Sequence, residues 1–204
     1  GAIDDYNKAI EINPQDAATY YNRGNAKRRS GDYQGAIADY SKAIEINPQL
    51  ALAYNNRGLL KDDLKDHQGA IADFNMAIEI NPQLALPYTN RGLAKDALGD
   101  YQGAIADHTK AIEINPQLST VYYNRGLAKR KSGDDQGAIA DYSKAIEINP
   151  QYALAYNNRG VAKGIGFSDE KGACDDFKKA ASLGNEYRIN WLNSEEGAWC
   201  RNMR

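Results

Sequence analysis

Two histidines, two cysteines and 27 carboxylates are the residues of this 204-residue chain best suited to chemistry. Their spacing gives them little to do. Holding a metal needs ligands at short, regular intervals. His67 and His108 stand alone, and Cys174 and Cys200 are far apart with no histidine near either. Two cysteines do not make a disulfide framework, so two free thiols are expected, with a Cys174–Cys200 bridge as the alternative. A phosphate-cradling loop needs clustered glycines between a strand and a helix. The one candidate, "GIGF" at 164–167, is too short and follows no strand. The carboxylates recur at a fixed interval, and a catalytic pair would break that symmetry where none breaks it. The sequence thus offers no catalytic residue, metal ligand or cofactor site, and does not read as an enzyme.

Composition narrows the class further. The net charge is −2, 25% of residues are charged and 42% are apolar, as in folded domains. A basic excess suited to nucleic acid is missing, and no apolar run approaches the ~18 residues of a membrane span. Nucleic-acid binding and membrane insertion are not expected, and a cytoplasmic location is favoured.

The elements come from a repeat. "DYQGAIADYSKAIEINPQ" at 32–49 returns nearly unchanged at 66–83, 100–117 and 134–151. Pro14, Pro48, Pro82, Pro116 and Pro150 recur every 34 residues, as do Gly24, Gly58, Gly92, Gly126 and Gly160. Each unit reads as two helices. Ala17 to about Ser30 forms the first; Gly31 permits a left-handed cap and Asp32 caps the next N-terminus. Tyr33 to Ile46 forms the second, with Ala36, Tyr40, Ala43 and Ile44 on one buried stripe, and Pro48 stops it. One such hairpin cannot cover its apolar face, but stacked copies can. Complete units occupy 15–48, 49–82, 83–116 and 117–150; 151–185 is a degenerate copy, and 1–14 is the second helix of a unit whose first half lies outside the sequence.

Tyr20, Gly24, Ala36, Tyr40 and Pro48 give the pattern aromatic-x-x-x-Gly, Ala-x-x-x-aromatic, Pro on a 34-residue hairpin. This resembles the tetratricopeptide repeat (TPR), over residues 1 to about 185. The wording "NRGLAK…GDYQGAIADY.KAIEINP" is similar to the TPR subtype abundant in cyanobacteria. The resemblance implies an all-α, right-handed solenoid of helix-turn-helix hairpins, with residues 186–204 as a capping helix and tail. Trp191, in the Tyr20 register, would cover the last stack.

The chain departs from the family in two columns. Arg23, Arg57, Arg91, Arg125 and Arg159 replace the usual leucine. Lys27, Lys61, Lys95, Lys129 and Lys163 replace a frequent tyrosine. Asp39, Asp73, Asp107, Asp141 and Asp176 recur in the second helices. Arg–Asp pairs are expected, against the alternative that the arginine heads reach water.

Variation between the copies is concentrated on the first helices, which the resemblance places on the concave side. The expected partner-binding groove is Tyr21, Asn22, Asn25, Arg28, Asn55, Asn56, Leu59, Asp62, Thr89, Asn90, Leu93, Asp96, Tyr123, Asn124, Leu127, Arg130, Asn157 and Asn158. The unvarying column Asn22, Asn56, Asn90, Asn124 and Asn158 resembles the asparagine ladder of peptide-binding family members, since a carboxamide can both donate to and accept from a peptide group. The alternative is that these amides tie neighbouring first helices together. The carboxylate clamp of some members needs Lys and Arg where this chain has Ala18, Tyr21 and Asn22, and is not recognisable. Arg28 and Arg29, then Asp62, Asp63 and Asp96, then Arg130 and Lys131 would suit a ligand with acidic ends and a basic middle; the alternative is solvated surface on which neighbouring repeats offset each other. At the N-terminus, Ile3, Tyr6 and Ile10 would lack part of their cover and form a self-association edge. The function expected is a scaffold binding a peptide or helix of a protein partner. The alternative is a module that self-associates into a homo-oligomer through this edge.

Overall fold

The computed structural model describes residues 1–166 and 169–203; the side chains of residues 165 and 166, and the rest of the expected loop at 167–168, lie outside the description. Among the described residues there are thirteen helices and no strand. The chain divides into two compact units, Gly1–Gly99 and Asp100–Arg204.

The first unit holds α1 (Ala2–Ile12), α2 (Ala17–Arg29), α3 (Tyr33–Ile46), α4 (Ala51–Asp63), α5 (His67–Ile80) and α6 (Ala85–Ala97). Helices α2 and α3 pack as one hairpin, α4 and α5 as the next, and each second helix also packs on the first helix that follows. The second unit holds α7 (Tyr101–Ile114), α8 (Ser119–Lys131), α9 (Asp135–Ile148), α10 (Ala153–Gly166), α11 (Glu170–Ser182), α12 (Glu186–Asn193) and α13 (Ala198–Asn202). There α8/α9 and α10/α11 are the hairpins, and α12 and α13 pack on α11. Stacked hairpins of this kind are the all-α, solenoid-type class expected from the repeat.

The boundaries follow from local chemistry. The side chain of Asp32 accepts the Gly35 amide, and Asp66, Asp100, Asp134 and Asp169 do the same at their helix starts. The hairpin turns need a left-handed residue, supplied by Gly31 at φ 85°, Gly99 at 82° and Gly133 at 89°. The second repeat breaks this rule with Lys65 at φ 69°. Within each hairpin the small residue of the first helix admits the aromatic of the second. A Cβ at Gly24 would stand 2.8 Å from Tyr40 Cε1, so the helices could not close to this distance with alanine there. Tyr40, Phe74, His108 and Tyr142 fill this column and are fully buried.

The C-terminal cap differs from the expectation of free thiols. Cys174 on α11 and Cys200 on α13 form a disulfide. The sequence distance hid this, because α12 and α13 fold back across α11 and bring residue 200 beside residue 174. The tail is therefore docked: Lys178 Nζ donates to the Met203 carbonyl at 2.6 Å. Trp191 packs edge-on against Phe177, with ring centroids 5.3 Å apart, and Trp199 against Trp191 at 6.1 Å.

Candidate functional site

The arginine column is structural. Arg57 donates from Nε and Nη2 to the two oxygens of Asp73, at 2.9 and 2.6 Å. Arg23–Asp39, Arg125–Asp141 and Arg159–Asp176 repeat this two-pronged geometry. The lysine one turn on completes each carboxylate, with Lys27, Lys61, Lys129 and Lys163 at 2.8–2.9 Å. The third arginine nitrogen reaches back to the preceding second helix: Arg23 to Asn7, Arg57 to Ser41, Arg91 to Asn75, Arg125 to Thr109 and Arg159 to Ser143. One guanidinium thus ties its own hairpin and grips the one before. The aspartates are 3–4% exposed, so the paired reading replaces the solvated one. The side-chain hydrogen bond to Asp39 holds the Arg23 pKa above its usual value, against the opposing effect of burial.

These clasps fix the first helices, whose outer residues are the candidate site. In the first unit, Leu52, Asn56 and Leu59 lie along α4 and Leu86, Asn90 and Leu93 along α6, at spacings of four and three that share a helix face. Leu52, Leu86 and Leu93 are 47%, 58% and 41% exposed. In the second unit, Thr120, Asn124 and Leu127 on α8 and Leu154, Asn158 and Val161 on α10 occupy the same register.

The amides bridge neighbouring first helices. Asn56 Nδ2 donates to Tyr21 Oη at 3.2 Å and Asn25 Oδ1 at 3.1 Å. Asn90 donates to Asn55 Oδ1 at 3.0 Å, and Asn158 to Tyr123 Oη at 2.8 Å. Asn25 also accepts from Tyr40 Oη at 2.8 Å. Asn22 is exposed, and Asn124 and Thr89 are half-buried.

Several residues grouped with the groove are engaged within the fold. Asn55 is 4% exposed, inside the seam between α4 and α6. Asn157 accepts from Arg188 of the cap at 2.6 Å. Asp62 accepts a hydrogen bond from His67 or offers it an ion pair, Oδ1 to Nδ1 at 2.6 Å. Arg28 lines a cavity of about 220 Å3 with Arg29, Tyr33, Leu60 and Asp63. Arg130 and Asp96 are half-buried. Tyr21 and Tyr123 are wedges as well as surface: they pack against Tyr40 and Tyr142 with centroids 5.9 and 5.8 Å apart. Burial raises the Tyr123 pKa, and Asn158 opposes it. Ile3, Tyr6 and Ile10 are half-buried, while Ile12 beside them is 86% exposed.

The sequence reading left Leu52 and Leu86 out of the candidate residues. The available signal was their column, which varies as Ala18, Leu52, Leu86, Thr120 and Leu154 on an exposed helix face. Among the described residues no group of three or more His, Cys, Asp or Glu is placed to hold a metal, and no helix is long and apolar enough to cross a membrane.

Hairpins clasped at a fixed period, with a variable first-helix face, define a helical-repeat protein of the interaction-scaffold class. Two sequence profiles match the chain: one described as TPR repeat, over residues 1–30, 24–61 and 126–164, and one described as Tetratricopeptide repeat, over 51–84 and 85–118. The chain belongs to the tetratricopeptide repeat family, and neither profile describes an enzyme. No curated protein sequence matches it. Among solved structures, MamA is similar at 28% identity and a TM-score of 0.75, covering 81% of this chain and 96% of MamA. MamA from Desulfovibrio magneticus RS-1 aligns at 19% identity and a TM-score of 0.76, over 87% of this chain and 97% of that one. YrrB, described as a TPR protein with an unusual peptide-binding site, aligns at 22% identity and 0.76, over 93% and 98%. The last two are likenesses of fold alone.

Proposed function

We propose that the chain is a non-enzymatic scaffold that binds a peptide or helix of a partner protein across its first helices. The observation that carries this reading is the pair of stripes on α4 and α6, where exposed Leu52 and half-buried Leu59 flank Asn56, and exposed Leu86 and Leu93 flank Asn90, on clasped helices. Large apolar side chains held out to water on a rigid frame favour a partner surface. An asparagine amide has two donors and an acceptor oxygen. Asn90 uses one donor on Asn55, which leaves a donor and the oxygen for a peptide backbone, whereas Asn56 has both donors engaged and keeps only acceptor capacity. The peptide-binding site ascribed to YrrB supports the reading by analogy of fold. Selection of peptides from a displayed library tests it. Peptides selected on the wild type should bind Leu52→Asp/Leu86→Asp at least tenfold more weakly, with unchanged circular dichroism. Equal binding to both overturns the assignment.

A second reading, self-association, rests on α1. A cavity of about 600 Å3 lies beside it, lined by Gly1, Ala2, Ile3, Asp4, Ala26 and Arg29. Sedimentation should show concentration-dependent dimers that Ile12→Lys abolishes; a monomer at all concentrations removes this reading.

A further inference from the structure

The C-terminal cap buries a cation that the repeats do not explain. Arg188 on α12 is 6% exposed. Arg23, Arg57, Arg125 and Arg159 each have an aspartate, but no carboxylate of the described residues pairs with Arg188. Its Nε donates to Asn157 Oδ1. Its guanidinium lies 3.7 Å from the Phe177 ring centroid, with Tyr187 at 5.0 Å and Trp191 at 5.1 Å. These neighbours are neutral. They stabilise the cation through their ring faces but leave the charge without a counter-ion, and burial lowers its pKa.

The same side chain lines a cavity of about 430 Å3 in the second unit. Val161, Ala173, Phe177 and Trp199 supply apolar walls, and Glu170 stands at the exposed side. The cavity owes its room to Gly164, which takes the place of Arg28, Asp62, Asp96 and Arg130 in the other repeats. A Cβ there would meet only Ala173, at 3.5 Å. Trp199 is 43% exposed, leaving an aromatic surface beside the cavity. The volume lies in the range of small-ligand pockets, apolar with few polar groups.

We propose that this cavity binds a small apolar monocarboxylic acid. The carboxylate accepts from the planar guanidinium of Arg188, which suits that group's geometry. The hydrocarbon or aromatic body lies against Val161, Phe177 and Trp199. Glu170 repels additional negative charge, which selects a monoanion over phosphates and dicarboxylates.

The test uses intrinsic fluorescence, because both tryptophans of the chain, Trp191 and Trp199, belong to this cap. The full chain is titrated with 3-phenylpropionate and with its neutral isostere 3-phenylpropanamide. The acid should produce a saturable change and the amide should bind at least tenfold more weakly. Arg188→Met should abolish binding of the acid. Because loss of Arg188 could also loosen the cap, the exposed Glu170→Gln provides a second variant. It should tighten the acid severalfold and leave the amide unchanged, a gain that a damaged fold does not give. No saturable change with the acid, equal binding of acid and amide, or an unchanged acid affinity in Glu170→Gln would overturn the proposal.

Discussion

Arg57 and Asp73 meet across a hairpin through two hydrogen bonds, while the remaining nitrogen of Arg57 holds Ser41 of the preceding repeat. The pair therefore joins both interfaces of a repeat, within the hairpin and towards its predecessor. Leucine, the usual occupant in this family, would supply packing at the same place. The charged clasp adds direction, because a planar fork accepts one carboxylate orientation.

Breaking one clasp should be costly. Arg57→Met leaves Asp73 buried with only Lys61, and removal of one partner of a buried pair costs about 3–5 kcal/mol. Arg57→Met/Asp73→Leu should recover much of that loss, since the unpaired carboxylate goes with its partner. Urea denaturation checks both; an unchanged midpoint for Arg57→Met contradicts the clasp.

Lys65→Gly should stabilise the protein. Lys65 holds the left-handed turn that glycine holds in the neighbouring repeats, and a side chain there costs about 1–2 kcal/mol. A rise in Tm is expected, and a fall would show that the Lys65 side chain contributes more than its backbone costs.

Reduction should loosen the cap. The Cys174–Cys200 bridge closes a loop whose entropy corresponds to about 3–4 kcal/mol. Cys174→Ser/Cys200→Ser should lower the midpoint followed by tryptophan fluorescence, which reports only the cap, more than the midpoint followed by circular dichroism. Equal midpoints before and after reduction would contradict this.

Alkaline pH should destabilise the second unit. Burial, and then the neighbouring Tyr123, push the Tyr152 pKa from 10.0 up to about 12. The unfolded chain releases this proton near 10, while the folded chain retains it until about 12. The stabilisation is therefore complete below the unfolded value and is lost as pH rises through that window. Tyr152→Phe should flatten the decline, measured by urea midpoints between pH 9 and 12; an equally steep decline refutes the assignment.

The hairpins were legible because their punctuation is local: Asp32 caps, Gly31 turns and Pro48 stops within a few residues of what each controls. The Arg–Asp pairs were legible as columns, since a repeat aligns with itself. What escaped was set by folding back. Cys174 and Cys200 meet only after two short helices reverse over α11, and no periodicity marks that. Asn55 and Asn56 are adjacent in sequence, yet one is sealed in a seam and the other bridges to Tyr21 and Asn25. Their identical residue type hides a difference that depends on the angle at which α4 meets its neighbours. Leu93 was legible from its varying column, whereas Leu52 and Leu86, in the column that begins with Ala18, were passed over although they are more exposed.

Methyl and amide NMR of the protein titrated with a library-selected peptide tests the central claim most directly. The account predicts that shift changes gather on Leu52, Asn56, Leu59, Leu86, Asn90 and Leu93. Changes confined to the second helices, with these six residues unmoved, would contradict it.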